Sequence, residues 1–154
     1  MTDKAQSAEL LLKLYELRRE AVMREARNWF FAFNPESFED IQREVMGENS
    51  AYLRMVTTYW DMACSFVNHG AIDAEMFNDA NSEHVFVFAK IQPFLEQIRA
   101  NNGNPAAFRN LEQAVMAIPH AEERVARARA MSKAIAQARA AATEERVEAD
   151  AANA

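Results

Sequence analysis

The chain has 154 residues, half of them hydrophobic and 26% charged, with a formal net charge of −6. Only 3 Gly and 4 Pro punctuate it, too few for the turns of a many-stranded sandwich or barrel. A lone cysteine, Cys64, forms no intramolecular disulfide, and the longest aromatic-aliphatic runs are five residues, far short of the roughly 18–20 that span a bilayer.

Near the N-terminus, Lys13 and Glu16 interrupt the apolar run that a signal peptide would need. The expectation is therefore a chain with no membrane span, placed in the cytoplasm by default. From Glu36 to Glu83 there are ten acids against two bases, Arg43 and Arg54, a local charge of −8. Such a surface repels phosphates, which argues against nucleic-acid binding.

The elements follow in chain order. Asp3 to Gln6 has the form of a capping box, and Leu10, Leu14, Leu17 and Ala21 follow at helical spacing. Tyr15, Val22, Ala26, Trp29 and Phe33 make a second stripe, and Glu9 with Lys13 and Glu20 with Arg24 are favourable i,i+4 pairs. The reading is one long N-terminal helix to about Phe33. Asn34-Pro35 ends it and Pro35 opens a second helix, which runs to Met46 before Gly47. Asn49 or Ser50 caps a third helix carrying Tyr52, Val56, Tyr59, Ala63, Phe66 and Val67, stopped by Gly70. Asp73 caps a short fourth. Asn81 or Ser82 caps a fifth, which Pro93 kinks by removing a backbone donor. Residues 101–105, Asn-Asn-Gly-Asn-Pro, form a loop, and a sixth helix opens at Pro105 with Phe108, Leu111, Val115 and Ile118.

After Phe108 no aromatic residue remains, and residues 121–154 hold 14 alanines with six acids and six bases. Alanine and arginine favour helix. The apolar stripe of Val125, Ala128 and Ile135 is thin. The organisation expected is a core at 1–119, a weakly docked Ala/Arg-rich helix at 120–146 and a frayed tail at 147–154.

No chemistry-bearing motif stands out. The residues three before His69, His84 and His120 are Phe66, Asn81 and Ala117, so the Glu-x-x-His pair of di-iron bundles is missing. Asp79, Asn81 and Glu83 partly match a calcium loop, but His84 stands where glycine is required and Lys90 where the bidentate acid is required. These residues read instead as caps. Asp61, Ser65 and His69 share one helical face, yet no nucleophile elbow presents the serine, so they read as a solvated polar face. Cys64 lies beside the apolar face and reads as a buried thiol. Three isolated glycines make no phosphate-binding loop. The sequence therefore nominates no catalytic residue, metal or cofactor.

Aromatics remain. Residues 29–33, Trp-Phe-Phe-Ala-Phe, sweep about 400° of helix surface, more than one core can take. Trp29, Phe30, Phe33 and Tyr15 are accordingly candidate interface residues, and the chain is expected to be a homo-oligomer, a dimer for preference. Tyr52, Tyr59, Trp60 and His69 are the polar-aromatic candidates for a small-molecule pocket between helices, the alternative reading.

The stretch 34–115 resembles an uncharacterised bacterial family of small helical domains, a domain of unknown function. The resemblance is carried by Tyr59-Trp60-x-x-Ala63, then Val67-x-x-Gly70-x-Ile72-Asp73, Phe77, Phe88-x-Lys90-x-x-Pro93-Phe94-Leu95-x-x-Ile98-Arg99 and Phe108-x-x-Leu111-Glu112. It implies an all-α fold and no assigned activity. Taken together, the sequence describes an all-α, single-domain bundle of six or seven helices acting as a non-catalytic, self-associating module.

Overall fold

The computed structural model describes residues 3–153. Its described residues form nine α-helices and one 3-10 turn, with no strand: α1 (Lys4–Arg18), α2 (Ala21–Ala32), α3 (Phe38–Val45), α4 (Ser50–Asn68), α5 (Ala74–Ala80), α6 (Glu83–Ile91), the turn Gln92–Phe94, α7 (Leu95–Asn102), α8 (Arg109–Met116) and α9 (Ala121–Ala152). The protein is all-helical. The count exceeds six or seven because two expected helices are each divided.

The long N-terminal helix is the first of these. It breaks at Arg19 and Glu20, where Glu20 caps α2 by accepting from the backbone N–H groups of Val22 (3.1 Å) and Met23 (2.9 Å). Those two bonds hold the Glu20 carboxylate below its ordinary pKa. The second division is at Pro93, which turns the chain through Gln92–Phe94 before α7 begins. That bend falls where the sequence places it.

Two helix starts move. α3 begins at Phe38 rather than Pro35, because Ser37 and Asp40 form a capping box. The Asp40 carboxylate also accepts from Glu36 N–H at 2.9 Å. α8 begins at Arg109 rather than Pro105. Asn104 instead closes a turn on Ala106 N–H (3.0 Å), and Phe108 enters the helix at φ +55°. Two glycines take left-handed backbone as chain stops, Gly70 (φ +74°) after α4 and Gly103 (φ +61°) after α7.

α4 is the central helix. α2 and α8 pack against it, α6 crosses it, and α9 lies along α6. α1 rests on α5 and α2 at the edge. The core is built from Trp60, Val56, Phe77, Phe88, Val87, Ile72, Leu111 and Val125, all almost fully buried. No helix among the described residues is long and apolar enough to cross a membrane. α9 docks through Ala121, Val125, Ala128 and Ser132. It runs on to Ala152 rather than ending near 146, and every residue from 137 to 153 is exposed.

Candidate functional site

The sequence-nominated aromatics separate. Phe30 is 3% exposed and belongs to the core, so it is not an interface residue. Helical spacing explains the error: α2 turns Met23, Ala26 and Phe30 inward together, which leaves Phe31 outward. Trp29 and Phe33 are half-buried and stack at 5.0 Å between ring centroids, with Tyr52 at 6.4 Å from Trp29. Phe31 carries the Arg139 guanidinium 4.9 Å above its ring. Tyr15 is 51% exposed on α1, beside exposed Leu12.

The nominated pocket residues do not surround a cavity. Tyr59 is buried and its hydroxyl donates to the Leu14 carbonyl at 2.6 Å, tying α4 to α1. Trp60 is at the centre of the core. The Tyr52 hydroxyl donates to Glu25 at 3.0 Å. His69 is exposed and bonds the Ser65 carbonyl through Nδ1. Tyr52 and His69 lie at opposite ends of α4, about 25 Å apart at 1.5 Å per residue.

The Asp61, Ser65 and His69 face likewise holds no triad. Asp61 accepts from Leu111 N–H (2.9 Å) and Asn110 Nδ2 (3.2 Å), capping α8 from another helix. The Ser65 hydroxyl donates to the Met62 carbonyl at 2.6 Å. Asp61 is therefore half-buried and structural rather than part of a solvated stripe.

What the sequence misses is a polar cluster against Trp60. Glu83 accepts from Arg27 Nε (3.0 Å) and Nη2 (2.7 Å), and from the Trp60 indole at 3.2 Å. Arg27 also reaches the Arg18 carbonyl at 3.3 Å. The Arg18 guanidinium lies 5.2 Å from the Trp60 ring. Beneath it, the His84 ring packs on Phe77 and Trp60 and bonds Asn78 Oδ1 at 3.1 Å through Nε2. Burial pushes its pKa down to about 4, with Arg18 acting in the same direction. Each carboxylate oxygen of Glu83 has a donor, so the cluster clamps α2, α4 and α6 together. Its local sequence signal is Glu83, which spacing assigns to a helix cap; the partner, Arg27, stands 56 residues earlier and nothing local announces it.

Lys90 is a second buried charge. Its ammonium donates to the carbonyls of Phe30 (2.8 Å), Phe31 (2.9 Å) and Phe33 (2.8 Å), closing the C-terminal end of α2. Burial pushes its pKa down to about 8. Another polar group the sequence passes over is Ser7, fully buried, whose hydroxyl accepts from Asp73 N–H at 3.0 Å.

Among the described residues, no three His, Cys, Asp or Glu side chains converge as metal ligands would. Cys64 is fully buried, and burial pushes its thiol up to about 12. The thiolate is the reactive form. A thiol reagent is therefore expected to leave native protein unlabelled over hours and to label denatured protein fully. Rapid native labelling, followed by mass spectrometry, would show that the site opens.

The class these features define is an all-helical domain clamped by internal ion pairs, with its terminal helix reaching beyond the body. Residues 4–118 match the family Domain of unknown function (DUF4760), and the chain belongs to that family. The match covers about three quarters of the chain. It takes in α1 and α2, ahead of the stretch whose resemblance the sequence motifs carry, and stops before α9. No curated protein and no solved structure matches the chain.

Proposed function

We propose that this chain is a non-catalytic interaction module that works as a homodimer, joined by antiparallel pairing of α9 with α9 of a second copy. The observation that carries this reading is the solvent face of α9. Met131, Ala134, Ala138 and Ala141 recur there at alternating spacings of three and four, preceded by Arg127 and followed by Glu145 and Glu148, all exposed. A seam with that spacing is what a two-helix coil uses.

Charge supports the antiparallel direction. Residues 124–143 contain five bases and no acid, whereas residues 144–150 contain four acids and one base. Acids at a helix C-terminus oppose its dipole, so they weaken α9 in isolation. Antiparallel pairing centred between Gln137 and Ala138 sets Arg127 against Glu148 of the second copy, and the reverse, with Ala134 facing Ala141. The arrangement is self-complementary, as a two-fold interface requires. Alanines allow the axes to approach to about 8 Å, over about 38 Å of helix from 127 to 152. The bodies then lie on opposite outer sides, because each docks through the other face of its α9.

Light scattering on the full chain at tens of micromolar is expected to return twice the chain mass. Arg127→Glu, at an exposed position, is expected to give monomer. Combining it with Glu148→Arg restores the dimer. A monomeric wild type, or a dimer indifferent to Arg127→Glu, would overturn the reading.

A further inference from the structure

On the opposite side of α9 from this seam lies a cavity of about 430 Å³. Its walls are the α2–α3 connection, the end of α6 with the following 3-10 turn, and α9. The volume is within the roughly 300–1,000 Å³ of small-molecule sites. Three cations, Lys90, Arg129 and Lys133, line it against one carboxylate, Glu36. This positive concavity is out of character for a chain of net charge −6.

The cations are held in place by the fold. Arg129 is fixed by Nε on the Ala89 carbonyl (3.0 Å) and by Nη2 on Gln92 Oε1 (2.7 Å). Lys90 is buried on three carbonyls and has no carboxylate partner among the described residues. Lys133 is exposed at the rim and makes no ion pair among them either. Ser132, between them on α9, is 5% exposed, and its hydroxyl has no hydrogen-bond partner among the described residues. A buried hydroxyl without a partner costs stability. Buried cations ordinarily face an anion. Pro93 and Phe94 supply an apolar wall on the same cavity.

We propose that this cavity binds a small organic anion, its carboxylate or phosphate head on Arg129, Lys133 and the Ser132 hydroxyl and its apolar body against Pro93 and Phe94. Lys90 contributes charge from beneath. The site is on a different face of α9 from the dimer seam, so the two proposals stand or fall separately.

The test is a titration of the ¹⁵N-labelled full chain, followed through its amide resonances, with benzoate, phenyl phosphate and the neutral benzyl alcohol. Benzoate or phenyl phosphate is expected to shift residues 89–94 and 129–133 saturably, and benzyl alcohol is expected not to. The tighter of the two anions identifies the head group. Lys133→Gln, at an exposed position, weakens binding by about tenfold. Ser132→Ala weakens it by about fivefold while raising Tm, because an unpartnered buried hydroxyl is removed. That opposite pair of effects separates a binding serine from a packing one. Failure of both anions to saturate, equal response to benzyl alcohol, or indifference of binding to both cavity substitutions would overturn the proposal.

Discussion

Glu83→Ala is expected to lower the free energy of unfolding by about 3 kcal/mol, read from chemical denaturation at pH 7. Glu83 accepts two bonds from Arg27 Nε and Nη2 and one from the Trp60 indole. Without it, a guanidinium about three-quarters buried loses its counter-charge, and the indole N–H of a residue with no exposed surface loses its acceptor. Those penalties fall on the groups left behind, which is why removing one partner costs more than the pair contributes. The guanidinium cannot relieve the loss by deprotonating, because arginine stays protonated across the whole working pH range even without Glu83. Glu83→Gln keeps an acceptor for the indole but not the charge, and is expected to fall between wild type and Glu83→Ala. Replacing Arg27 and Glu83 together with Met and Leu is expected to cost less than Glu83→Ala alone. A Glu83→Ala loss below about 1 kcal/mol would mean that the cluster behaves like an exposed surface pair.

Acidification from pH 7 to 4 is expected to remove about 3 kcal/mol of stability through His84 alone. The sign follows from the buried ring. Its pKa is about 4 in the folded protein against 6.5 for the ordinary group. Between those values the unfolded chain binds a proton that the folded chain excludes, so stability is intact above pH 6.5 and is lost progressively toward pH 4. The environment gives the cause. Phe77 and Trp60 enclose the ring, Arg18 opposes a second positive charge, and Nδ1 has no partner among the described residues. His84→Leu is expected to flatten this part of the pH profile. Asp40 and Glu20, whose backbone bonds lower their pKa values, contribute acid lability of the same sign in both proteins. The difference between wild type and His84→Leu therefore isolates the imidazole. An unfolding free energy from urea denaturation that depends on pH equally in wild type and His84→Leu between pH 4 and 7 would show that the ring is hydrated rather than enclosed.

Local signals in the chain were legible. The Asp73 cap, Gly70 as a stop, and the Pro93 bend each depend on one residue and its immediate neighbours, and each falls where the sequence places it. The capping box of Ser37 and Asp40 is equally local and outweighs the helix-start preference of Pro35. Spacing alone pairs Glu20 with Arg24, although its carboxylate also reaches the N–H groups two and three residues on. That choice depends on whether the chain turns there, which is decided by what α1 gains from docking. Tyr59 bonding the Leu14 carbonyl is one such gain, across 45 residues.

The candidate sites divide along the same line. Periodicity identifies residues 29–33 as apolar on every side without saying which side meets α4 and α6, so it does not assign Phe30 to the core. The bonds of Glu83 to Arg27, Lys90 to Phe30 and Asp61 to Leu111 each span between 50 and 60 residues of sequence. Composition and periodicity by themselves determined an all-helical chain, an acidic middle and an alanine-rich end, because these depend on residue type and spacing along one helix. Only the tertiary structure decided which charges became clamps and which line a cavity. It also decided which part of α9 leaves the body. Burial and long-range pairing arise when helices pack, and no window of sequence contains both partners.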